Sequence, residues 1–417
     1  MKISTRVKDF IHKFLLKCYL FRREGCIFSA LFLTFLCSVP SSLHNWNSSW
    51  YVMDYSLGFD SRLLIGSLLR LFHPDYLPAE HAYTFVFISI LVLLLLLSYV
   101  LGFALRKTDN QPAGAGLLLL TSLYLLSPGS PAYLWTGENM GRFDLYLIIL
   151  TVFAAILYIK IPDSVIRLIA FTVIGLTALC IHQVFMFIFF PLLLAMYADT
   201  AWEKGKKSHF VLGGICLFLL CIAFIYLQLF SHLNIDSPEN LIALLSSRTD
   251  LNINETALRY EYFATIDTAF RELMLNQLSE RIRYGIVTVF LLSPLLFIYG
   301  YLWHHILRAG RGIRFKYLLI LLSQLSFVPA FLLAIDWGRW FGAFITVQAL
   351  QVVILAARKD AAVLAGLARL SICLRKHPYL FIAAGIWMAS LSKFQATLLP
   401  DAPVFFGSLY KLYQTIF

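Results

Sequence analysis

Charge is scarce in this chain. Only 14% of its 417 residues are Asp, Glu, Lys or Arg, against 60% that are apolar. A chain folded in water must cover itself with polar groups, so this balance excludes a soluble globular domain. Zinc-ligand spacings, a P-loop and a dinucleotide glycine fingerprint are missing, which removes the commonest metal and nucleotide motifs. Nothing in the sequence requires a metal or another cofactor. Seven cysteines are present, but Cys18 and Cys373 fall in basic segments and Cys26, Cys37, Cys180, Cys216 and Cys221 fall in apolar runs. That distribution excludes a disulfide framework built in an oxidising compartment. What remains is a polytopic membrane protein with a mean hydropathy of +0.76. Its aromatic content of 16% suits side chains at head-group boundaries and in internal clefts. The net charge of +11 reads as a topology signal in short loops, not as a nucleic-acid footprint.

Apolar runs near the length that crosses hydrocarbon, roughly 15–22 residues, lie at about 26–40, 82–105, 113–128, 144–160, 167–181, 184–198, 209–230, 285–302, 317–335, 341–357 and 378–392. These eleven runs predict an all-α single integral-membrane domain over residues 1–417. The fifth and sixth runs are short and meet at His182, where a tight turn keeps their basic flanks on one side. A cleavable signal peptide is the rival reading of the first run, but its cleavage site is poor.

Lysine and arginine set the orientation. Residues 1–25 form a basic N-terminus. Arg106 and Lys107, Lys160 and Arg167, the Lys204 group, Arg308 to Lys316, and Arg358 to Lys376 all fall on the same side if there are eleven spans. The intervening segments contain no lysine until Lys393. The N-terminus is therefore expected in the cytoplasm and the C-terminus outside. A first outer loop then covers 41–81 and a large one 231–284. Each is expected to carry an interfacial helix: one from an Asp60 cap to about Phe72 with Leu64, Leu68 and Leu71 on one face, the other from a Ser237 cap with Pro238 following.

Four charged clusters face this outer side, and ionisable groups near membrane depth are functional candidates by default. Asp54 and Asp60 follow the first span. A partly desolvated carboxylate there can take a proton from a hydroxyl. Asp60 reads equally as a helix cap, and Arg62 reads as a salt-bridge partner for Asp54 or as a phosphate clamp. Glu138, Arg142 and Asp144 flank the fourth span, where Arg142 presents a planar fork for phosphate or pairs locally with Asp144. Trp135 beside them suits a sugar face or an interface anchor. His182 is an acid/base candidate or a packing residue. Asp336-Trp337-Gly338-Arg339-Trp340 packs acid, base and two indoles into one turn, with Asp336, Arg339 and Trp340 as binding candidates. Arg248, Arg259, Glu261 and Arg271 read as a solvated face.

The layout resembles the GT-C class of integral-membrane glycosyltransferases. It shares acids in a first outer loop with interfacial helices (Asp54, Asp60), an acid–arginine second outer loop (Glu138, Arg142, Asp144) and a later large outer loop. GT-C enzymes often carry adjacent acids in the first loop, whereas these stand six apart, which leaves Asp54 and Asp60 both open as the base. The resemblance implies a sugar transfer from a polyprenyl-phosphate donor to a surface glycan or lipid-linked acceptor, in a bacterial inner membrane and on its periplasmic face. Size and span count are also similar to serotype-converting glucosyltransferases. The arginine-rich outer loops resemble O-antigen polymerases and ligases, which would imply a polyprenyl-diphosphate glycan. A transporter or flippase of lipid-linked sugar is the alternative from another class; it should show repeats and charge at the membrane midplane, and no internal repeat is visible.

Overall fold

The computed structural model describes residues 21–203, 206–263, 271, 278–333 and 336–395. The basic N-terminal stretch before residue 21, Lys204 and the expected outer C-terminus beyond residue 395 lie outside the described residues. Single helical turns aside, the chain forms α1 (Arg22–Ser38), α2 (Leu63–Arg70), α3 (Ala79–Thr108), α4 (Gly114–Leu126), α5 (Asp144–Lys160), α6 (Ser164–Ile181), α7 (Phe190–Glu203), α8 (Lys207–Phe230), α9 (Pro238–Ser247), α10 (Leu278–Leu291), α11 (Ser293–Ala309), α12 (Arg314–Leu322), α13 (Phe327–Leu333), α14 (Trp337–Ala357), α15 (Ala361–Lys376) and α16 (Pro378–Ser390). Two short strands, β1 (Gly58–Phe59) and β2 (His232–Leu233), pair antiparallel.

This is an all-α polytopic membrane fold. Among the described residues six helical stretches are long and apolar enough to cross a membrane, or seven if α10 and α11 count as one bent span. The run expected as one span at 285–302 is instead broken by 67° between α10 and α11. Pro294 opens α11, and a proline there cannot continue the ladder of the preceding helix. The indole of Trp387 donates to the Leu291 carbonyl (2.7 Å), which answers one of the groups freed at the break. A second correction is α15. The basic stretch after residue 357 was expected as a loop, yet it is a helix whose Leu367 and Gly366 pack on α4 and α11. The basic residues obscure an apolar stripe of Val363, Leu367 and Leu370 at helical spacing.

The most enclosed of the spans is α14, which packs against α3 and α4. Its buried polar residues are answered from neighbouring helices. Gln348 accepts from the Trp303 indole (2.9 Å), Gln351 donates to the Pro191 carbonyl (3.0 Å), and Thr346 donates to the Gly129 carbonyl (3.0 Å). An unanswered polar group at that depth would cost several kcal/mol, so these bonds fix how α14 sits.

Charge gathers at the two ends of the bundle. At one end Arg106 meets Glu24 (2.9 Å), and Arg358 meets Glu203, which also takes Arg167. Buried Lys316 bridges Asp199 (2.8 Å) and Asp360 (2.6 Å), while Asp360 also caps α15 through the amides of Ala362 and Val363. Four of the basic residues expected on a common side, Arg106, Arg167, Lys316 and Arg358, take part in these pairs. The opposite end holds the acid–arginine clusters.

Two outcomes follow from this division. In a cysteine-free background, exposed Asp75→Cys and Thr256→Cys should react with an impermeant thiol reagent from one side, and Asn110→Cys and Gly312→Cys from the other; reaction of Asp75→Cys and Thr256→Cys from opposite sides would contradict the fold. Lys316→Ala strands two carboxylates against each other. Losing one partner of such a buried network costs about 3–5 kcal/mol, so thermal unfolding in detergent should shift down markedly, and an unchanged midpoint would show that the bridge contributes nothing.

Candidate functional site

The segment between α1 and α3 and the long segment after α8 fold onto each other. β1 pairs with β2 in the register Gly58↔Leu233 and Phe59↔His232. The Leu77 amide donates to the Arg248 carbonyl (2.8 Å), the Ala79 amide to Asp250 (2.6 Å), and the Asn254 amide to the Ser49 hydroxyl (2.8 Å). Within the first segment α2 lies on the chain at Met53. A Cβ at Gly66 would stand 1.9 Å from the Met53 carbonyl oxygen, so only glycine permits that approach. The inward face of α2 is Leu63, Ile65 and Leu69, while Leu68, Leu71 and Phe72 stay exposed. Of the expected stripe, Leu68 and Leu71 are thus outward and exposed, while Leu64 packs partly buried against the core. In α9 the Ser237 cap accepts from the Asn240 amide (3.2 Å), and Leu241 and Leu245 are buried as their spacing predicts.

The two candidate acids of the first segment have different surroundings. Asp54 is buried and fully engaged. It accepts from the Ser56 amide (2.7 Å), from Arg70 at both oxygens (2.8 Å) and from Arg248 (3.0 Å). Arg70 and Arg248, not Arg62, are its partners. Burial alone would raise its carboxyl, but the bonds from Ser56 and Arg70 outweigh that and hold it below the ordinary carboxylate range. Such a group is a poor proton acceptor for a hydroxyl. Asp60 is only partly buried; its Oδ1 accepts from the Arg62 amide (3.0 Å) and the Ser61 hydroxyl (3.5 Å). That is an Asx turn ahead of α2, and Arg62 occupies the cap position itself. Among the described residues no hydrogen bond or ion pair reaches Oδ2 of Asp60.

Beyond Asp60 a chain of buried charge runs across the bundle end. Arg339 holds Asp144 as a bidentate pair, Nε to Oδ2 (2.8 Å) and Nη2 to Oδ1 (2.7 Å), and spends Nη1 on Asp336. Arg142 reaches the same Asp336 oxygen (3.1 Å). Arg62 donates to Glu261 (2.9 Å) and to Nε2 of His182 (3.4 Å), with its guanidinium 4.8 Å from the Trp50 ring centroid. Gly141 has φ +88°, which lets the strand of chain before Arg142 turn while Tyr51 donates to the Gly141 carbonyl (2.7 Å).

The electrostatics follow from burial. Burial pushes His182 well below its usual range, and Arg62, Arg339 and Arg142 push it further, so its imidazole is neutral. With Nε2 accepting from Arg62, the ring proton sits on Nδ1, which has no partner. Burial lowers Arg142 to about 10, still charged at neutral pH, and raises Glu261 despite the pull of Arg62. Asp336 is held low because Arg142 and Arg339 outweigh its burial. Several buried donors find no partner among the described residues: Nε of Arg62, Nε of Arg142, the Trp340 indole and the Tyr262 hydroxyl. Arg339 is saturated by two acids. Arg62 and Arg142 each retain donor capacity, which is what an anion would use.

Of the predicted residues, Arg142, Asp144, Asp336, Arg339 and Trp340 come together directly, and Arg62 joins His182 beside them. Trp340 is buried with Arg339 over its ring (4.6 Å). Glu138 acts on Arg142 and His44 from an adjacent turn. Asp54 stands apart. Trp135 neither anchors at an interface nor faces a cavity: it is fully buried, with its indole on Ser38 (3.0 Å). The expected solvated face holds for the side chains of Arg259 and Arg271, which are exposed, but not for Arg248, which clamps Asp54, or Glu261, which pairs with Arg62. Glu261 and Trp50 were missed, and nothing in their sequence spacing marks them. Comparison with protein families, with curated proteins and with solved structures finds no match to this chain.

The Asp54 clamp generates a pH outcome. A depressed carboxyl contributes at neutral pH and is lost only as pH falls through its lowered value. Limited proteolysis of residues 232–263 should therefore stay slow from pH 7 to about 4.5, above the ordinary Asp range. Arg248→Ala should accelerate it about tenfold, one bond's worth of local stability. Loss of protection already between pH 7 and 5 in a Glu261→Gln background, which removes the raised carboxylate that pairs this segment with Arg62, or no change in Arg248→Ala, would contradict the clamp.

Proposed function

We propose that this protein is a GT-C-like membrane glycosyltransferase that moves a sugar from a polyprenyl-phosphate donor to a surface glycan or lipid-linked acceptor. The observation that carries the reading is the pair of partly buried forks, Arg62 and Arg142, each with a buried Nε that has no partner among the described residues. A buried donor left unpaired costs about 1–3 kcal/mol, and a donor phosphate would remove that cost. Arg339 is the post that holds Asp336 for Arg142, not a phosphate ligand. Eleven spans in a bacterial inner membrane, with the N-terminus cytoplasmic, the site periplasmic and the C-terminus outside, complete the proposal.

In the reaction an acceptor hydroxyl attacks the anomeric carbon of the donor. The bond from that carbon to the phosphate oxygen breaks, and the leaving phosphate keeps the electron pair. Arg62 and Arg142 stabilise the charge that develops on it. Asp60, with an open carboxylate oxygen at the edge of the cluster, takes the hydroxyl proton. Neutral His182 keeps Arg62 oriented without adding positive charge. A polymerase or ligase using a polyprenyl-diphosphate glycan is the second reading, favoured by the presence of two forks where one phosphate needs few. Placement of the acid–arginine cluster at an end of the bundle, not at its middle, supports chemistry at one face over alternating access.

Transfer by the purified protein tests this with mono- and diphosphate donors side by side. Arg142→Lys keeps the charge and loses the fork, so it should cut turnover about a hundredfold, the scale of one lost oxyanion donor. Asp60→Asn should cost about 100-fold or more, while Asp54→Asn should lose more loop stability than turnover. Full activity in both Arg142→Lys and Asp60→Asn would overturn the reading.

A further inference from the structure

Positive charge at the Lys316 end of the bundle is not spread evenly. Arg23, Arg106, Arg167, Lys316 and Arg358 each meet a carboxylate there. The basic side chains of α11 and α15 meet none. From Arg281 to Ile335, and again from Ala361 to Pro400, the sequence has no Asp or Glu. Arg308, Arg311, Arg314, Arg369, Arg375 and Lys376 are exposed, and none makes an ion pair among the described residues.

Two helix faces bring part of this charge together. On α11, Phe297, Tyr301, His304 and Arg308 recur at three- and four-residue spacing, and all four are exposed. Toward the Lys316 end that face passes from apolar to aromatic to cationic. On α15, Ala361, Ala365, Arg369, Ile372 and Lys376 form the exposed face, opposite the buried Val363, Leu367 and Leu370. The two helices pack closely because Gly366 has no side chain: a Cβ there would stand 2.8 Å from Ile306. Arg369 is thereby brought near Tyr301, and both Arg308 and Arg369 lie close enough to His305 to act on its charge. Like charges drawn together with no acid between them repel, and an anion seated there removes that cost.

We propose that this α11–α15 face binds an anionic phospholipid, with its phosphodiester between Arg308 and Arg369 and its acyl chains along Tyr301 and Phe297. The order along α11 argues for a lipid over a soluble anion. Exposed Phe297 belongs in hydrocarbon, tyrosine suits head-group depth, and arginine reaches the phosphate. Exposed Ile372, three residues along α15 from Arg369, adds a second apolar contact. A topology signal needs only basic residues on one side of the membrane. It does not need them to converge from two helices on a patch without acids. The site lies at the opposite end of the bundle from Arg62 and Arg142, so it is independent of the sugar-transfer reading.

Native mass spectrometry of the full-length protein tests this, with phosphatidylglycerol and phosphatidylcholine of matched chains titrated side by side. The wild type should retain phosphatidylglycerol about tenfold more tightly, the scale set by two arginines at a membrane surface. Arg308→Gln combined with Arg369→Gln keeps side-chain bulk at exposed positions and should remove that preference. Lys107→Gln combined with Lys207→Gln removes the same charge from exposed sites elsewhere at that end and should leave the preference intact. Thermal unfolding checks that both variants are folded, and phosphatidylglycerol should raise the midpoint of the wild type but not of the arginine variant. Equal retention of the two lipids by the wild type, or equal loss in both double variants, would overturn the proposal. Displacement of the lipid by millimolar inorganic phosphate would also overturn it, by making the face a site for free anions. Equally tight binding of polyglutamate would overturn it in favour of an acidic protein partner.

Discussion

Burying a guanidinium in a membrane bundle is tolerable only when acids and dipoles surround it, and that constraint shapes the functional end of this molecule. The bidentate Arg339–Asp144 pair ties the first turn of α14 to the first turn of α5. Asp336 then shares its carboxylate between Arg339 and Arg142. Two parts of the chain far apart in sequence, 142–144 and 336–339, are thereby locked together, and the spans that follow them inherit that alignment. The polar ladder of Thr346, Gln348 and Gln351 carries it down α14. At the opposite end Lys316 does the corresponding job with Asp199 and Asp360.

The same constraint separates support from function. Charges whose hydrogen-bonding capacity is used up, such as Arg339, Asp144 and Asp54, hold elements together. Groups with unspent capacity, such as Arg62, Arg142 and Asp60, line up along the border between them. Asp54 shows the distinction well: two arginines and an amide make it a latch between two loops, and the same bonds disqualify it as a base. The proposed base then stands beside the proposed phosphate site, since Asp60 accepts from the Arg62 amide.

Much of this was legible in the sequence, because membrane burial writes itself into composition. The apolar runs gave the helices, and the scarcity of charge made each cluster stand out. Arg142, Asp144, Asp336 and Arg339 could be picked by residue type and position alone. Their pairing could not, since nothing in a linear string says that Arg339 reaches Asp144, 195 residues away, as well as Asp336. Asp54 was misjudged because its partners, Arg70 and Arg248, lie 16 and 194 residues away. Glu261 sat among exposed charges whose burial depends on how one loop folds over another. The break at Leu292 was hidden inside a continuous apolar run, and α15 behind its basic residues.

The most direct measurement is a cryo-electron microscopy map of the protein in nanodiscs with a polyprenyl-phosphate sugar bound. The account predicts phosphate density within hydrogen-bond reach of Arg62 and Arg142, with the Arg339–Asp144 pair unmoved. Phosphate density at the Lys316 end, or at Arg70 and Arg248 with the Arg62 and Arg142 forks still unanswered, would contradict it.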